Sequence, residues 1–393
     1  MTSIRTIAIE YRPGEVRAAA IDAKGDVIEF RVERTHDRSL VGGIYLGRVL
    51  AVRDEVGAAF VDIGVERDAF LNLHRIKKNG DRRQDSLGTE IVEGAAILVR
   101  VDRDTQSDKG ARLTTKVEPL DIPDNLKCPS IVFEPPNLAV RAVRDWSGPD
   151  TTRVIVDDAR VAADVRAHIL GDVPKIVVLH NGQSFDEMGI ADVFDAQLSP
   201  VVKLPNGGMI IIETTSAMTT IDVNVGQGME GNAERSGLQI NMEAVEAIAR
   251  ALRLRNIGGL IAVDFLKMSA KSDNEKIVSA LREALADDPA QADTSKMSGF
   301  GIVEIARRQI SASIPETFMQ TQLMPSPFTQ ALEALNDIRK RRGTSATITG
   351  SHDVIAALKG PLKDAKKALE SELGFLIQLE TSPESGNVKY TVT

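Results

Sequence analysis

The sequence predicts a multidomain α/β protein, and three observations carry that expectation. Short, glycine-punctuated strands recur at regular spacing between Val41 and Lys116, the pattern of a small barrel. Strands alternate with helices between Leu204 and Ser313, the pattern of a layered α/β sheet. Within that second stretch, Thr220-Ile221-Asp222-Val223-Asn224-Val225 and Gly258-Gly259-Leu260-Ile261-Ala262-Val263-Asp264-Phe265 each read as a strand bearing a carboxylate. With 393 residues the chain has length for about two to four compact units.

The leading segment IRTIAIEYRPGEVRAAAIDAKGDVIEFRVER predicts three strands with turns at PGE and AKGD. Three strands cannot close a sheet alone. Their expected partner is the stretch from Asn137 to about Lys203, where LAVRAVRDW, TRVIVDD and KIVVLH read as strands beside the helical ARVAADVRAHILG. Asp157 and Asp158 follow a strand and are expected to cap the helix that begins near Ala159. GGIYLGRVLAVRDE, GAAFVDIG, DAFLNLHRI, AAILVRVDRD and GARLTTKV make five strands suited to an OB-fold, with the polar loop Lys77–Gly94 between the third and fourth. Phe60 and Phe70 have two open readings in a chain with 4% aromatics. They are core residues, or they stack on bases from the outer face of the second and third strands.

In the α/β stretch, LPNGGMIIIETTSAMTTIDVNVGQG reads as strand–turn–strand. Ile221, Val223 and Val225 take one face of its second strand, so Thr220, Asp222 and Asn224 line the other. A helix is predicted from about Asn241 to Arg255, with Met242, Val245, Ile248 and Leu252 facing the core, and another from Glu275 to Ala286. The run ending at Asp264 is almost wholly apolar, the pattern of a strand buried on both faces. A lone charge there costs several kcal/mol unless it is paired, hydrogen-bonded or metal-bound. Either aspartate alone also reads as a turn former or helix cap. Together on neighbouring strands they would form a hard-oxygen site suited to Mg²⁺, with Asn224 as a neutral ligand or orienting group. GQGMEGNAERSG lacks the lysine and spacing of a P-loop and is expected to be a flexible loop. In the tail, TQALEALNDIRKRR reads as a helix, SATITG as a strand, HDVIAALKGPLKDAKKALESELG as helical, and FLIQLET with VKYTVT as a closing hairpin.

Composition narrows the function classes. Apolar content of 42% and charged content of 26% are ordinary for a globular protein. No apolar run nears the roughly 20 residues of a membrane span, and the N-terminal residues lack a signal-peptide core. Cys128 is the single cysteine, which excludes an intrachain disulfide and leads us to expect a cytoplasmic setting. His36, His74, His168, His180 and His352 lie too far apart for ligand spacing, so no zinc is expected. A net charge of −8 argues against a general polyanion binder. Basic groups nevertheless cluster: Arg250, Arg253 and Arg255 precede the second aspartate strand, and Arg307 and Arg308 are placed on a later helix. Two or three of them are expected to touch phosphate, the others to be solvated helix faces.

IDVNV and GGLIAVDF, with the intervening EAVEAIARALRLRNIGG and the later SKMSGFGIVEIARRQIS, resemble the catalytic region of the ribonuclease E/ribonuclease G family in four blocks and in the same order. The resemblance implies an RNase H-like unit (residues 1–38 and 118–203) interrupted by an S1-type OB-fold RNA-binding domain (39–117). A DNase I-like catalytic α/β domain (204–313) and a small C-terminal α+β domain (314–393) would follow. It implies that Asp222 and Asp264 bind metal with Asn224 in support, and that Phe60 and Phe70 stack on RNA with Lys109 as a basic contact. Mg²⁺ is the implied cofactor, with Mn²⁺ as an alternative. Single-stranded RNA is the implied partner, with no membrane, and a homodimer through the C-terminal domain is expected.

The chain departs from the family in several places. ETFMQTQLMPSPF has no cysteine where the family shares zinc between subunits. The bridge Val117–Arg141 is too short for the family's 5′-monophosphate pocket. Lys267 stands where an acidic residue is usual, and Gln291 where an arginine is common. The leading expectation is a Mg²⁺-dependent endoribonuclease indifferent to the RNA 5′ end. The alternatives are a non-catalytic RNA-binding protein on the same fold and a metal-dependent phosphodiesterase acting on DNA or a small nucleotide.

Overall fold

The computed structural model describes residues 3–76, 78–79, 82–85, 88–104, 110–118, 120, 125–226, 233–319, 325–340, 343–381 and 389–392. It divides into two compact units, Met1–Met319 and Gln320–Thr393. No helix among the described residues is long and apolar enough to cross a membrane.

Among the described residues the first unit contains three large sheets and one two-stranded ribbon, Lys78–Asn79 with Arg82–Arg83. One has the strand order Val177–Leu179, Arg153–Val156, Ile4–Arg12, Glu15–Asp22, Val27–Arg34. The leading three strands pair antiparallel through turns at Gly14 and Gly25, whose φ values of 87° and 90° favour glycine. Arg153–Val156 joins Ile4–Arg12 in parallel, so the sheet is completed by a segment some 140 residues downstream in the chain. LAVRAVRDW is not a strand. It forms the helix Leu138–Trp146, started by the Asn137 side chain, which accepts from Val140 N. Leu138, Val140, Ala142, Val143 and Trp146 are all buried, and this helical spacing outweighs the β-branched composition that suggested a strand. Asp158 caps the helix Ala159–His168. Asp157 does not cap it: its carboxylate accepts from Tyr11 N (2.8 Å) and Ser184 Oγ (3.1 Å), tying two strands to the following segment.

The second sheet closes into a five-strand barrel consistent with an OB-fold, because Ile44–Arg53 pairs with both Ala58–Asp62 and Ala96–Arg103. Ala69–Asn72 and Arg112–Thr114, paired in parallel, complete the ring. Tyr45, Val49, Val61, Leu71, Ile97, Val99 and Leu113 fill its interior. Ser130–Phe133, within the short bridge after the barrel, adds a sixth strand on the Ile44–Arg53 edge.

The third sheet runs Val201–Lys203, Met209–Thr214, Thr219–Asn224, Gly259–Asp264, Ile302–Arg307, Ala292–Thr294. Thr219–Asn224 and Gly259–Asp264 are parallel and joined by the helix Ala233–Leu254, and the other pairs are antiparallel. Ile221, Val223, Ile261, Val263, Val303 and Ile305 pack against Ile240, Val245, Ile248, Leu252, Ile277 and Leu281. The helices Ala233–Leu254 and Lys271–Leu285 therefore cover one face, while Thr220, Asp222, Leu260, Asp264 and Glu304 on the other are exposed. This corrects two expectations. The Asp264 strand is buried on one face only, with Leu260 45% exposed. Part of the loop before Asn241 is helical from Ala233, so the apolar stripe runs through Ile240 and Ala244 while Met242 turns outward. The next helix likewise begins earlier than expected, at Lys271. The short helix Ile314–Phe318 ends the first unit, with Ile314 buried beside Phe30, Phe194 and Leu254.

In the second unit, Ala346–Gly350 lies between Ile377–Thr381, its parallel partner, and Lys389–Val392, its antiparallel one. The last two strands therefore form no hairpin. Ala346 and Ile348 are buried and take the centre, and a parallel neighbour requires a crossover, supplied by the helices His352–Lys359 and Lys363–Leu373. The helix Pro327–Lys340 packs on this core through Ala331, Ala334, Leu335 and Ile338.

Candidate functional site

Asp222 and Asp264 are register partners across the one parallel strand pair of the third sheet, each near the C-terminal end of its strand. Adjacent strands lie about 4.7–4.9 Å apart, so both carboxylates rise from one small area of the open face. They are exposed. The desolvation cost expected from sequence is absent here, and what singles the pair out is like charge held side by side. Asn224, two residues on and on the same face, donates from Nδ2 to Asp222 Oδ2 at 2.7 Å, which orients that carboxylate.

The Asp264 side is held from behind. Asn241 is fully buried, and its amide grips the backbone of Leu266 twice: Nδ2 donates to Leu266 O (2.8 Å) and Oδ1 accepts from Leu266 N (3.0 Å). The strand exit two residues after Asp264 is thereby pinned to the crossover helix. Sequence reading passed over Asn241, although an amide next to Ile240 on an apolar stripe was a signal. On the other flank, Gly301 (φ +93°) brings the backbone so near that a Cβ there would lie 3.9 Å from Asp264 Oδ1. No group of three or more His, Cys, Asp or Glu ligands occurs among the described residues. Two carboxylates with an amide oxygen are donors of the kind that suit a hard cation keeping several waters. Lys267 is exposed just beyond the strand.

On the barrel, Phe60 and Phe70 are register partners on adjacent strands. Their rings meet edge to face, centroids 6.3 Å apart and planes at 76°. Neither belongs to the barrel core, and Phe60 is 37% exposed. Arg112 is the register partner of Phe70 and extends the row. It pairs with Asp102. Burial pushes the Asp102 carboxyl up, but Arg112, helped by Arg308 and Arg100, holds it below the usual range. Lys109 lies outside the described residues.

The five arginines expected at phosphate are divided by the fold. Arg250 is exposed, lining an open groove of about 570 Å³ with Arg5 and Lys24. Arg308 is exposed as well. Arg253 faces Glu29 at 3.7 Å. Arg255 is 2% exposed, its Nε has no hydrogen-bond partner, and burial pushes its guanidinium down to about 10. Arg307 is buried at the end of a strand. Its Nε and Nη2 donate to Asp288 Oδ2 (2.7 Å) and Oδ1 (3.0 Å), and its Nη1 donates to Ile257 O (2.6 Å). The helix expected around Arg307 and Arg308 is thus a strand, because Val303, Ile305 and Arg307 point inward and Glu304, Ala306 and Arg308 outward with period two. Gln291 (φ 56°) sits in the same corner, accepting from Arg308 N, at the end of the sheet away from the aspartates.

An α/β protein with a carboxylate pair at parallel strand ends, fused to a barrel with aromatic residues on its outer face, is the class defined by this arrangement. A model of the Ribonuclease E/G family matches residues 98–310, and the chain belongs to that family. It is 26% identical over 388 residues to ribonuclease E of Buchnera aphidicola subsp. Acyrthosiphon pisum, covering 77% of this chain and 43% of that protein. It is 27% identical over 394 residues to ribonuclease G of Haemophilus influenzae, covering 78% of this chain and 80% of that one. A putative ribonuclease E of Buchnera aphidicola subsp. Baizongia pistaciae is 26% identical, with 78% and 95% covered. The chain spans about two fifths of the ribonuclease E relatives of Buchnera and Haemophilus (43% and 41%).

Proposed function

We propose that this protein is an endoribonuclease that cuts single-stranded RNA using Mg²⁺ held by Asp222 and Asp264. The observation that carries the reading is the register pairing of these two aspartates on adjacent parallel strands, on a face open to a polymer. Membership of the ribonuclease E/G family supports the same substrate class. When bound, Mg²⁺ supplies a water acidic enough to act as nucleophile at neutral pH and offsets charge on the scissile phosphate. Asp222 and Asp264 contribute the negative oxygens, Asn224 keeps Asp222 oriented, and Asn241 keeps the Asp264 strand end in place. Phe60 and Phe70 hold bases on the barrel, with Lys109 as a further contact, while Arg250 and Arg308 meet phosphate.

In this reading the five-stranded sheet is the RNase H-like unit, the barrel an S1-type domain, and the third sheet the DNase I-like domain. The second unit serves dimer contacts without zinc. The bridge after the barrel contributes one strand, Ser130–Phe133, and cleavage does not depend on the RNA 5′ end. The test is cleavage of an end-labelled single-stranded RNA in Mg²⁺ and in EDTA, by the natural chain and by Asp222→Asn. Cleavage that needs Mg²⁺ and is lost in the variant is expected. RNA binding with no cleavage by the natural chain would instead identify a non-catalytic RNA-binding protein, the reading that Lys267, three residues after Asp264, favours.

A further inference from the structure

Phe300 is 92% exposed, more than any other large apolar side chain among the described residues. The turn that carries it is well tied. Ser298 Oγ accepts from Phe300 N (3.3 Å) and Ile302 N (3.2 Å), Ser298 N donates to Ile302 O (2.9 Å), and Gly301 N donates to Ser298 O (3.1 Å). The ring is therefore held out in solvent by a fixed backbone. Its position is set by its neighbours. Ile302 is the register partner of Asp264, and Gly301 is the residue whose absent Cβ would approach Asp264 Oδ1. Phe300 is one Cα step, about 3.8 Å, further out. An exposed aromatic ring stands at the rim of the carboxylate pair, and it belongs to none of the hydrophobic core clusters.

We propose that Phe300 is the stacking platform for the nucleobase next to the scissile phosphate, an inference that rests on the function proposed above. A nucleobase presents a flat π surface that an aromatic side chain binds with little regard to sequence, and a strand whose phosphate lies at Asp222 and Asp264 brings its neighbouring base within reach. A protein partner fits less well. The exposed residues at and just beyond the neighbouring strand ends include Asp222, Asp264 and Lys267, and Leu260, an exposed apolar residue on this sheet face, lies four residues before Asp264, about 13 Å along the strand. The strand ends next to the turn carry mainly polar and charged residues, which suits one base and not a broad apolar interface. This site is separate from the Phe60 and Phe70 pair, which the barrel carries.

The test compares natural chain, Phe300→Ala and Phe300→Tyr on one RNA and on RNAs lacking a single base at each position around the cut. On intact RNA, Phe300→Ala should lower kcat/KM about tenfold, the scale of one stacked base, and Phe300→Tyr should restore it. Removing the partner base should cost the natural chain the same factor and cost Phe300→Ala nothing further. The same non-additivity should appear in RNA titrations run in EDTA, where no bond is cut. The proposal is overturned if Phe300→Ala cleaves like the natural chain, if the two losses multiply, or if the variant changes oligomeric state by light scattering in place of RNA affinity. Should the natural chain fail to cleave at all, the proposed function falls, and the EDTA titrations still decide the role of Phe300. Because the ring is exposed, melting should be unchanged in both variants.

Discussion

Arg307→Ala offers the sharpest test of the division the fold makes among its arginines. The Arg307 and Asp288 side chains are 2% and 4% exposed and joined by two hydrogen bonds, and Arg307 also serves the Ile257 carbonyl. Truncation leaves Asp288 as a buried, uncompensated carboxylate and orphans a buried acceptor. Breaking a buried pair from one side costs about 3–5 kcal/mol, and that loss is expected in denaturant unfolding followed by circular dichroism. Replacing both partners, as Arg307→Met with Asp288→Leu, should recover most of it, because no charge is then stranded. RNA titrations over a range of salt supply the second readout. A lost phosphate contact to single-stranded RNA lowers the slope of log affinity against log salt by about 0.7, and Arg307→Ala should leave the slope unchanged at temperatures where it is folded. Arg308→Ala should do the reverse, keeping its stability and losing about that slope. Arg307→Ala with stability within about 0.5 kcal/mol of the natural chain and a reduced salt slope would refute the assignment.

Asp222→Asn and Asp264→Asn should each abolish Mg²⁺-dependent cleavage while leaving RNA binding and melting close to the natural chain, since both groups are exposed and Asn is nearly isosteric; retained cleavage in a purified variant would sink the metal assignment. Phe60→Ala and Phe70→Ala should weaken RNA binding by about 1–3 kcal/mol with little loss of stability, and a thermal melt beside the titration reads both. Arg255→Met should stabilise the fold by about 1–3 kcal/mol, because a guanidinium pushed down by burial to about 10 is still charged at pH 7, its Nε has no hydrogen-bond partner and it makes no ion pair among the described residues; a destabilised variant in denaturant titration would show that the guanidinium has a partner after all. RNAs of one sequence beginning with a monophosphate, a triphosphate or a hydroxyl should be cleaved at equal rates, and a tenfold preference for the monophosphate, about 1.4 kcal/mol, would reveal a 5′ pocket.

The carboxylate pair was legible because a strand writes its faces into the sequence with period two. Asp222 and Asn224 had to share a face, and the parallel pairing with the Asp264 run follows from a strand–helix–strand order. The barrel was legible for a related reason: its glycines and short apolar runs mark turns and strands locally. What the sequence alone could not decide is which side of an element faces another part of the chain. The apolar run at Leu260–Val263 looks two-sided, yet only one face receives helices, and no local pattern states how many layers a sheet will acquire. Arg253, Arg255 and Arg307 look like a basic cluster, but Glu29, the apolar core and Asp288 claim them through contacts made at long sequence separation or across a strand end. Leu138–Trp146 reads as a strand by composition and becomes a helix because its buried residues complete the packing on a sheet built mainly from the chain's first residues. Local periodicity is a property of the chain, and it determined the barrel strands and the paired aspartate strands. Burial and charge pairing are properties of what comes to lie opposite, and only the tertiary structure decided which arginines stay exposed, which sheet face stays open and where Phe300 stands relative to Asp264.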